Sequence, residues 1–148
     1  MDKIDRKILN ELSTNARISG AEIARKVHLS VPAVTERLRK LDKSGIIDRY
    51  TIRFNRESLG FNVLAFIKVW LDHTKVDQTK ERLLAMSEVL ECHHIAGEYD
   101  LLLKILVKNT TQLEDLLTKK IKNDPAITRT STTIVLSTYK EEINVKPD

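Results

Sequence analysis

At 148 residues the chain has room for one domain of ordinary size or two small ones, and its 41% hydrophobic content with three prolines and four glycines excludes a disordered or fibrous protein. One cysteine, Cys92, excludes an internal disulfide framework, and the sequence holds no apolar run near the roughly 18 residues of a membrane span, so no membrane partner is expected. The net charge of +4 is uneven: residues 1–60 hold 13 Lys+Arg against 8 Asp+Glu, and residues 61–148 hold 12 against 13, which fits either a polyanion partner for the first half or a solvated basic face.

In chain order, the opening Met1-Asp2-Lys3-Ile4-Asp5-Arg6 lacks the apolar core of a signal peptide, and a cytoplasmic location is expected. Ile4, Ile8, Leu9 and Leu12 recur at helical spacing and make one apolar stripe. Ser19-Gly20-Ala21-Glu22 is a capping box flanked by Ile18 and Ile23 at staple positions, so a short helix starts there and ends near Val27. His28-Leu29-Ser30 is a tight connection, and Ser30 caps a third helix with Leu29 and Val34 as its staple. Val31, Val34, Leu38 and Leu41 form that helix's buried stripe, and Ser44-Gly45 stops it. From Ile46 to Phe54 the pattern turns β-branched, aromatic and alternating, which predicts a short hairpin or linking strand, with a hinge at 55–62 around Gly60.

The rest reads as β-α-β-β-α-β: strands at 62–71, 89–95, 99–107 and 127–139, and helices at about 76–86 and 111–122, the second ended by Asp124-Pro125. Two split β-α-β units of this kind predict a ferredoxin-like fold, and the whole chain an α+β protein. The expected divisions are a helix-turn-helix domain at 1–50, a linker strand at 51–61 and a ferredoxin-like domain at 62–148.

Two helices cover only one face of a four-stranded sheet. Val63, Ala65, Ile67, Val69 and Leu71 supply that face in the first strand, but Leu64, Phe66, Lys68 and Trp70 point the other way, as do Leu102 and Leu106 in the third. Leaving such side chains in water forgoes roughly 1.5–3 kcal/mol each, so another surface is expected to cover them. Self-association in a two-fold homodimer is the expected cover; the first domain folded back onto the sheet is the alternative.

With Val34, Leu38 and Leu41 buried, the third helix presents a polar side. A recognition helix in the major groove reads base edges with its first turns, so Ser30, Val31, Pro32, Thr35 and Arg37 are candidates for reading double-stranded DNA. Arg25, Lys26, Arg39, Lys40 and Lys43 are candidates for phosphates, which position without specifying sequence. A generic helical module with an ordinary Glu36–Lys40 pair presents a similar surface, and Arg37 has an alternative role as a brace through a carboxylate.

The runs Ile4-Asp5-Arg6-Lys7-Ile8-Leu9, Asn15-Ala16-Arg17-Ile18-Ser19, Val34-Thr35-Glu36-Arg37-Leu38-Arg39-Lys40-Leu41 and Ser44-Gly45-Ile46-Ile47 resemble the Lrp/AsnC (feast/famine) transcription factors. Ile95-Ala96-Gly97-Glu98-Tyr99-Asp100-Leu101-Leu102-Leu103-Lys104 is similar to that family's G-x-x-D loop, and the likeness covers nearly the whole chain; Asp42 stands where the family more often has Glu. The resemblance implies a winged helix-turn-helix on a ferredoxin-like effector domain, homodimers that assemble further, often to octamers, and a small amino-acid effector in place of any cofactor. Gly97 and Asp100 match the effector loop with Ile95, Ala96 and Tyr99 beside them, and Thr132, Thr133 and Ile134 match a last-strand segment near that site. Gly97 offers a turn with backbone N–H groups for a ligand carboxylate and Asp100 an acceptor for a ligand ammonium; a plain hairpin glycine and a turn-stabilising aspartate are the alternatives.

Cys92, His93 and His94 do not converge, because neighbours on a strand point to opposite faces, so neither a metal site nor a catalytic Cys–His pair is expected. The expected function is a sequence-specific DNA-binding transcription regulator that responds to a small effector through its oligomeric state or geometry, not an enzyme. A small-molecule-binding or enzymatic ferredoxin-like protein with a helical appendage is the rival, and a protein that coats DNA without sequence choice is a third possibility.

Overall fold

A computed structural model of the chain describes residues 1–74 and 76–147, apart from the side chain of residue 77; the expected domain end at 148 lies outside the described residues. The first helix, α1 (Lys3–Thr14), opens on a reciprocal cap: the Asp2 carboxylate accepts the N–H groups of Ile4 and Asp5 at 2.8 and 2.9 Å, and Asp5 accepts the Asp2 N–H at 2.8 Å. Helix α2 (Gly20–Val27) opens on the same device, with Ser19 and Glu22 exchanging bonds at 3.0 and 3.2 Å. Two orphan donors are thereby satisfied at each start. Helix α2 ends on His28, a non-glycine residue in the left-handed region with φ 55°. That conformation costs about 1–2 kcal/mol and turns the chain sharply enough for Ser30 to open α3 (Val31–Lys43) two residues later. Gly45, at φ 72°, stops α3 in the same region without a side-chain penalty.

The apolar stripes of these helices meet in one core of Ile8, Ile23, Ala24, Val27, Val34 and Leu41, edged by Leu12, Ile18, Leu29, Leu38 and Ile47. Val31, expected in the buried stripe, is instead 45% exposed at the first turn of α3. The strand expected at 46–54 and extended through the 51–61 linker is not formed: no described residue between α3 and Val63 belongs to a strand. Alternation makes a segment ready to pair, but a strand exists only where another strand accepts its N–H and C=O groups. Ile46, Tyr50, Ile52 and Phe54 are left exposed.

The second core is built on a four-stranded antiparallel sheet in the order β2-β3-β1-β4, from β1 (Val63–Leu71), β2 (Val89–His94), β3 (Leu101–Val107) and β4 (Ile127–Ile134). Helix α4 (Thr79–Leu84) follows a 3-10 turn, and α5 (Thr110–Asp115) runs on through wider π-helical turns to Ile121. Ala65, Ile67, Val69, Leu103 and Ile105 are buried together with Leu83, Leu113, Leu116 and Ile121. This is the ferredoxin-like arrangement. The last strand stops at Ile134, five residues short of the expected Tyr139, and Leu136 and Tyr139 are both 98% exposed.

The chain divides into two compact units, Met1–Arg53 with Lys140–Asp148, and Phe54–Tyr139. The first crossing between them follows Arg53. The return of the tail to the first unit has no counterpart in the sequence reading. Within that unit the Arg53 guanidinium donates to the Glu141 carbonyl and carboxylate, both at 2.9 Å.

Candidate nucleic-acid interface and effector loop

Helix α3 is fixed by its apolar side, and its other side carries most of the candidate DNA-reading residues. Ser30 is the cap, its hydroxyl oxygen accepting the Ala33 N–H at 3.3 Å. Val31, Pro32 and Thr35 are exposed on the first turns, with the Thr35 hydroxyl donating to the Val31 carbonyl at 3.0 Å. Arg39 and Lys40 are exposed one turn on, and Arg25 and Lys26 are exposed on α2, where Lys26 pairs with Glu11.

The two arginines of α3 stand differently. The Arg37 guanidinium donates to Asp2 and to Asp5, each at 2.7 Å, and its side chain is only 29% exposed. It therefore occupies the bracing position, tying α3 to the start of α1. The Asp5 N–H and the Arg37 guanidinium together hold the Asp2 carboxyl down to about 2. Arg39 makes a fork with Glu36, Nε to Oε2 at 2.8 Å and Nη2 to Oε1 at 2.6 Å, while Lys40 lies 3.8 Å from the same carboxylate. The Arg39 hydrogen bonds hold the Glu36 carboxyl below its ordinary range. Neither Glu36 nor the Asp2–Asp5 pair was singled out from sequence as a partner for these arginines. Glu36 and Arg39 at i, i+3 were visible, but the link from Arg37 back across more than thirty residues has no local signal.

The loop matched to an effector site, 95–100, joins β2 to β3. It is pinned at both ends: the Ile95 N–H donates to the Asp100 carbonyl at 2.9 Å, and the Asp100 N–H to the Val69 carbonyl at 3.0 Å. The Asp100 carboxylate accepts the Leu71 N–H at 2.7 Å and lies 3.2 Å from His73 Nε2, a neighbour the sequence did not suggest. Ala96 and Gly97 are exposed at the tip. Gly97 is not in the left-handed region, and a Cβ there would meet only the Ile95 side chain, at 3.5 Å, so this chain's own fold does not demand a glycine. Tyr99 meets Trp70 edge-on at 5.9 Å, with Lys68 over Tyr99 and Arg129 over Trp70 at 4.5 Å.

Thr132, Thr133 and Ile134 lie on edge strand β4, opposite Ile67, Phe66 and Ala65. Leu101, where the loop ends, lies across β1 from Thr130 through Val69. Two strand spacings of about 4.8 Å plus two to four residues at about 3.4 Å separate the loop from Thr132–Ile134. A single chain does not bring the two halves together. On β2, Cys92 faces the core while His93 bonds Glu91 at 3.1 Å on the opposite face, and no group of three or more metal-ligating side chains occurs among the described residues. No helix among the described residues is long and apolar enough to cross a membrane.

Comparison with known proteins gives this geometry a context. Residues 1–48 match the family model for a winged helix-turn-helix DNA-binding domain, and residues 64–145 match that for the Lrp/AsnC ligand binding domain. The HTH-type transcriptional regulator FL11 of Pyrococcus horikoshii is 35% identical over 141 residues, covering 95% of this chain and 93% of its own. The solved structure of Escherichia coli AsnC superposes with a TM-score of 0.93 at 30% identity, covering 99% of both chains. A feast or famine regulatory protein from Mycobacterium tuberculosis, solved with L-methionine, superposes at 0.90 with 35% identity and 99% coverage of both chains. A helix-turn-helix whose third helix carries an outward polar side, followed by a four-stranded antiparallel sheet and matched over 95–99% of its length by these regulators, makes the chain a member of the Lrp/AsnC family of DNA-binding transcriptional regulators.

Proposed function

We propose that α3 enters the major groove with its N-terminal turns, where Val31, Pro32 and Thr35 meet base edges and Ser30 sets the start of the helix. Lys40, Arg25 and Lys26 face phosphates, with Arg39 beside them. Arg37 positions α3 through Asp2 and Asp5 and is withdrawn from base reading. The observation that carries this reading is the division of α3 itself: Val34 and Leu41 are buried in the core while Val31, Thr35, Arg39 and Lys40 stand exposed.

The active form in this reading is a homodimer that assembles further, to an octamer, in the cytoplasm, and its effector is an amino acid. The L-methionine carried by the Mycobacterium tuberculosis relative supports that ligand class. Two observations on this chain agree: Ala96 and Gly97 are exposed at the tip of the loop, where a ligand can approach the backbone, and the loop and Thr132–Ile134 are too far apart in one chain to share a ligand. A site completed by a second copy joins the two halves and couples occupancy to assembly.

Duplex binding against salt tests the DNA half of the proposal. A dimer that neutralises about six phosphates gives a log–log slope near −5. A flat slope, or no binding at moderate salt, overturns it. Repeating the titration with a panel of amino acids tests the effector half, which fails if neither affinity nor sedimentation responds to any of them.

A further inference from the structure

On charge alone Arg39 is a phosphate contact; its geometry points elsewhere. A guanidinium carries five N–H donors in a rigid fork. Glu36 engages the Nε and Nη2 edge, at 2.8 and 2.6 Å, which leaves the Nη1–Nη2 edge free. Both side chains of the pair are half exposed, on the outward side of α3 one turn beyond Thr35. Arg37 is less suited to the role: Asp2 and Asp5 both engage its Nη1, and its side chain is 29% exposed against 48% for Arg39.

We propose that Glu36 and Arg39 act as one specificity-determining couple: Glu36 orients the Arg39 fork so that its free edge meets O6 and N7 of a guanine, and denies that guanidinium to phosphates. The physical basis is that bidentate recognition of guanine needs a planar fork at a fixed angle, whereas a phosphate accepts a cation from many directions. A carboxylate bound along one edge fixes the angle. It also adds a negative charge that the DNA backbone repels at every site where the guanine is missing, so non-specific binding is weakened more than specific binding. This deepens the groove-binding role of α3 and rests on it.

The test uses the full-length chain and two duplexes, the tightest one selected by the wild-type protein from a random pool and a shuffled duplex of the same composition. Arg39→Lys keeps the charge and removes the fork. It is expected to cut the selected-to-shuffled affinity ratio by about tenfold while leaving shuffled binding within about twofold. Glu36→Gln is expected to raise shuffled binding and steepen its log–log salt slope by about 1, as the released guanidinium takes a phosphate, and to lower the ratio; in an Arg39→Ala background that effect should vanish. Reselection with Arg39→Lys should lose one guanine preference from the motif. An unchanged ratio for Arg39→Lys, or a Glu36→Gln chain indistinguishable from wild type on both duplexes, overturns the couple while α3 remains at the DNA. If Lys40→Ala and Arg39→Ala leave both affinities untouched, α3 is not in the groove and the couple falls with it.

Discussion

Asp2 caps α1 through two backbone N–H groups and also receives the Arg37 guanidinium, so one carboxylate both opens α1 and ties it to α3. Its carboxyl is held near 2 against an ordinary 3.8, with the Asp5 N–H as the largest cause and Arg37 next. A group whose folded value is depressed contributes stability above its unfolded value and loses it as pH falls through the folded one, so this link is intact above about pH 4 and is lost toward pH 2. In Arg37→Ala the Asp2 midpoint should rise toward 3.8 without reaching it, since the backbone bonds remain, and side-chain carboxyl NMR titration measures this. An unmoved midpoint would mean that Arg37 does not act on Asp2 in solution. The same variant should weaken binding to all duplexes alike, as a positioning residue would, and leave base preference in place. From sequence Arg37 had two roles open, base reader and brace. The acidic partners at positions 2 and 5 that favour the brace are connected to residue 37 by no helical spacing.

Helices α1 to α3 were legible because their determinants are local: Ser19 with Glu22, Ser30 before Val31, Gly45 after Ser44. The strand expected at 46–54 failed for the opposite reason, since its partner would have to come from elsewhere. The strands of the second unit were found because Val63–Leu71 and Leu101–Val107 are apolar on both faces, but the end of β4 was not, as the threonines and serines of 128–138 carry no stop signal. Another non-local element is the junction of α4 with the turn before β4. Buried Thr79 donates to the Asp124 carboxylate at 2.7 Å, the Ala126 N–H donates to the same oxygen at 3.0 Å, and Arg82 meets the other oxygen at 2.7 Å. Read from sequence, Asp124-Pro125 was only a helix stop. Asp124→Ala leaves a buried hydroxyl and a buried N–H without their acceptor, so it should cost about 2–4 kcal/mol. Thermal unfolding of the full chain measures it, and a change under about 0.5 kcal/mol would mean that water replaces the carboxylate without loss.

At the scale of the whole molecule, the proposed assembly joins copies through the outer face of the sheet. Leu64 is already buried in the single chain, but Phe66, Trp70, Leu102 and Leu106 are only partly covered, and Leu136 and Tyr139 beyond β4 are open to water. Trp70 is braced by Tyr99 and Arg129, so it loses little side-chain freedom on association. In a two-fold contact each side chain is buried twice, so one lost aromatic removes roughly 3–6 kcal/mol, about two to four decades in the dimer constant. Phe66→Glu should therefore sediment as a single chain at concentrations where the wild type is a dimer or larger, with unchanged helical content. Its affinity for a two-half-site duplex should fall far more than its affinity for one half-site, since the second recognition helix no longer arrives with the first. A wild-type chain that sediments as a monomer throughout the range in which it binds DNA would overturn the proposed assembly through the sheet face and, with it, the proposal that an amino-acid effector is held between copies.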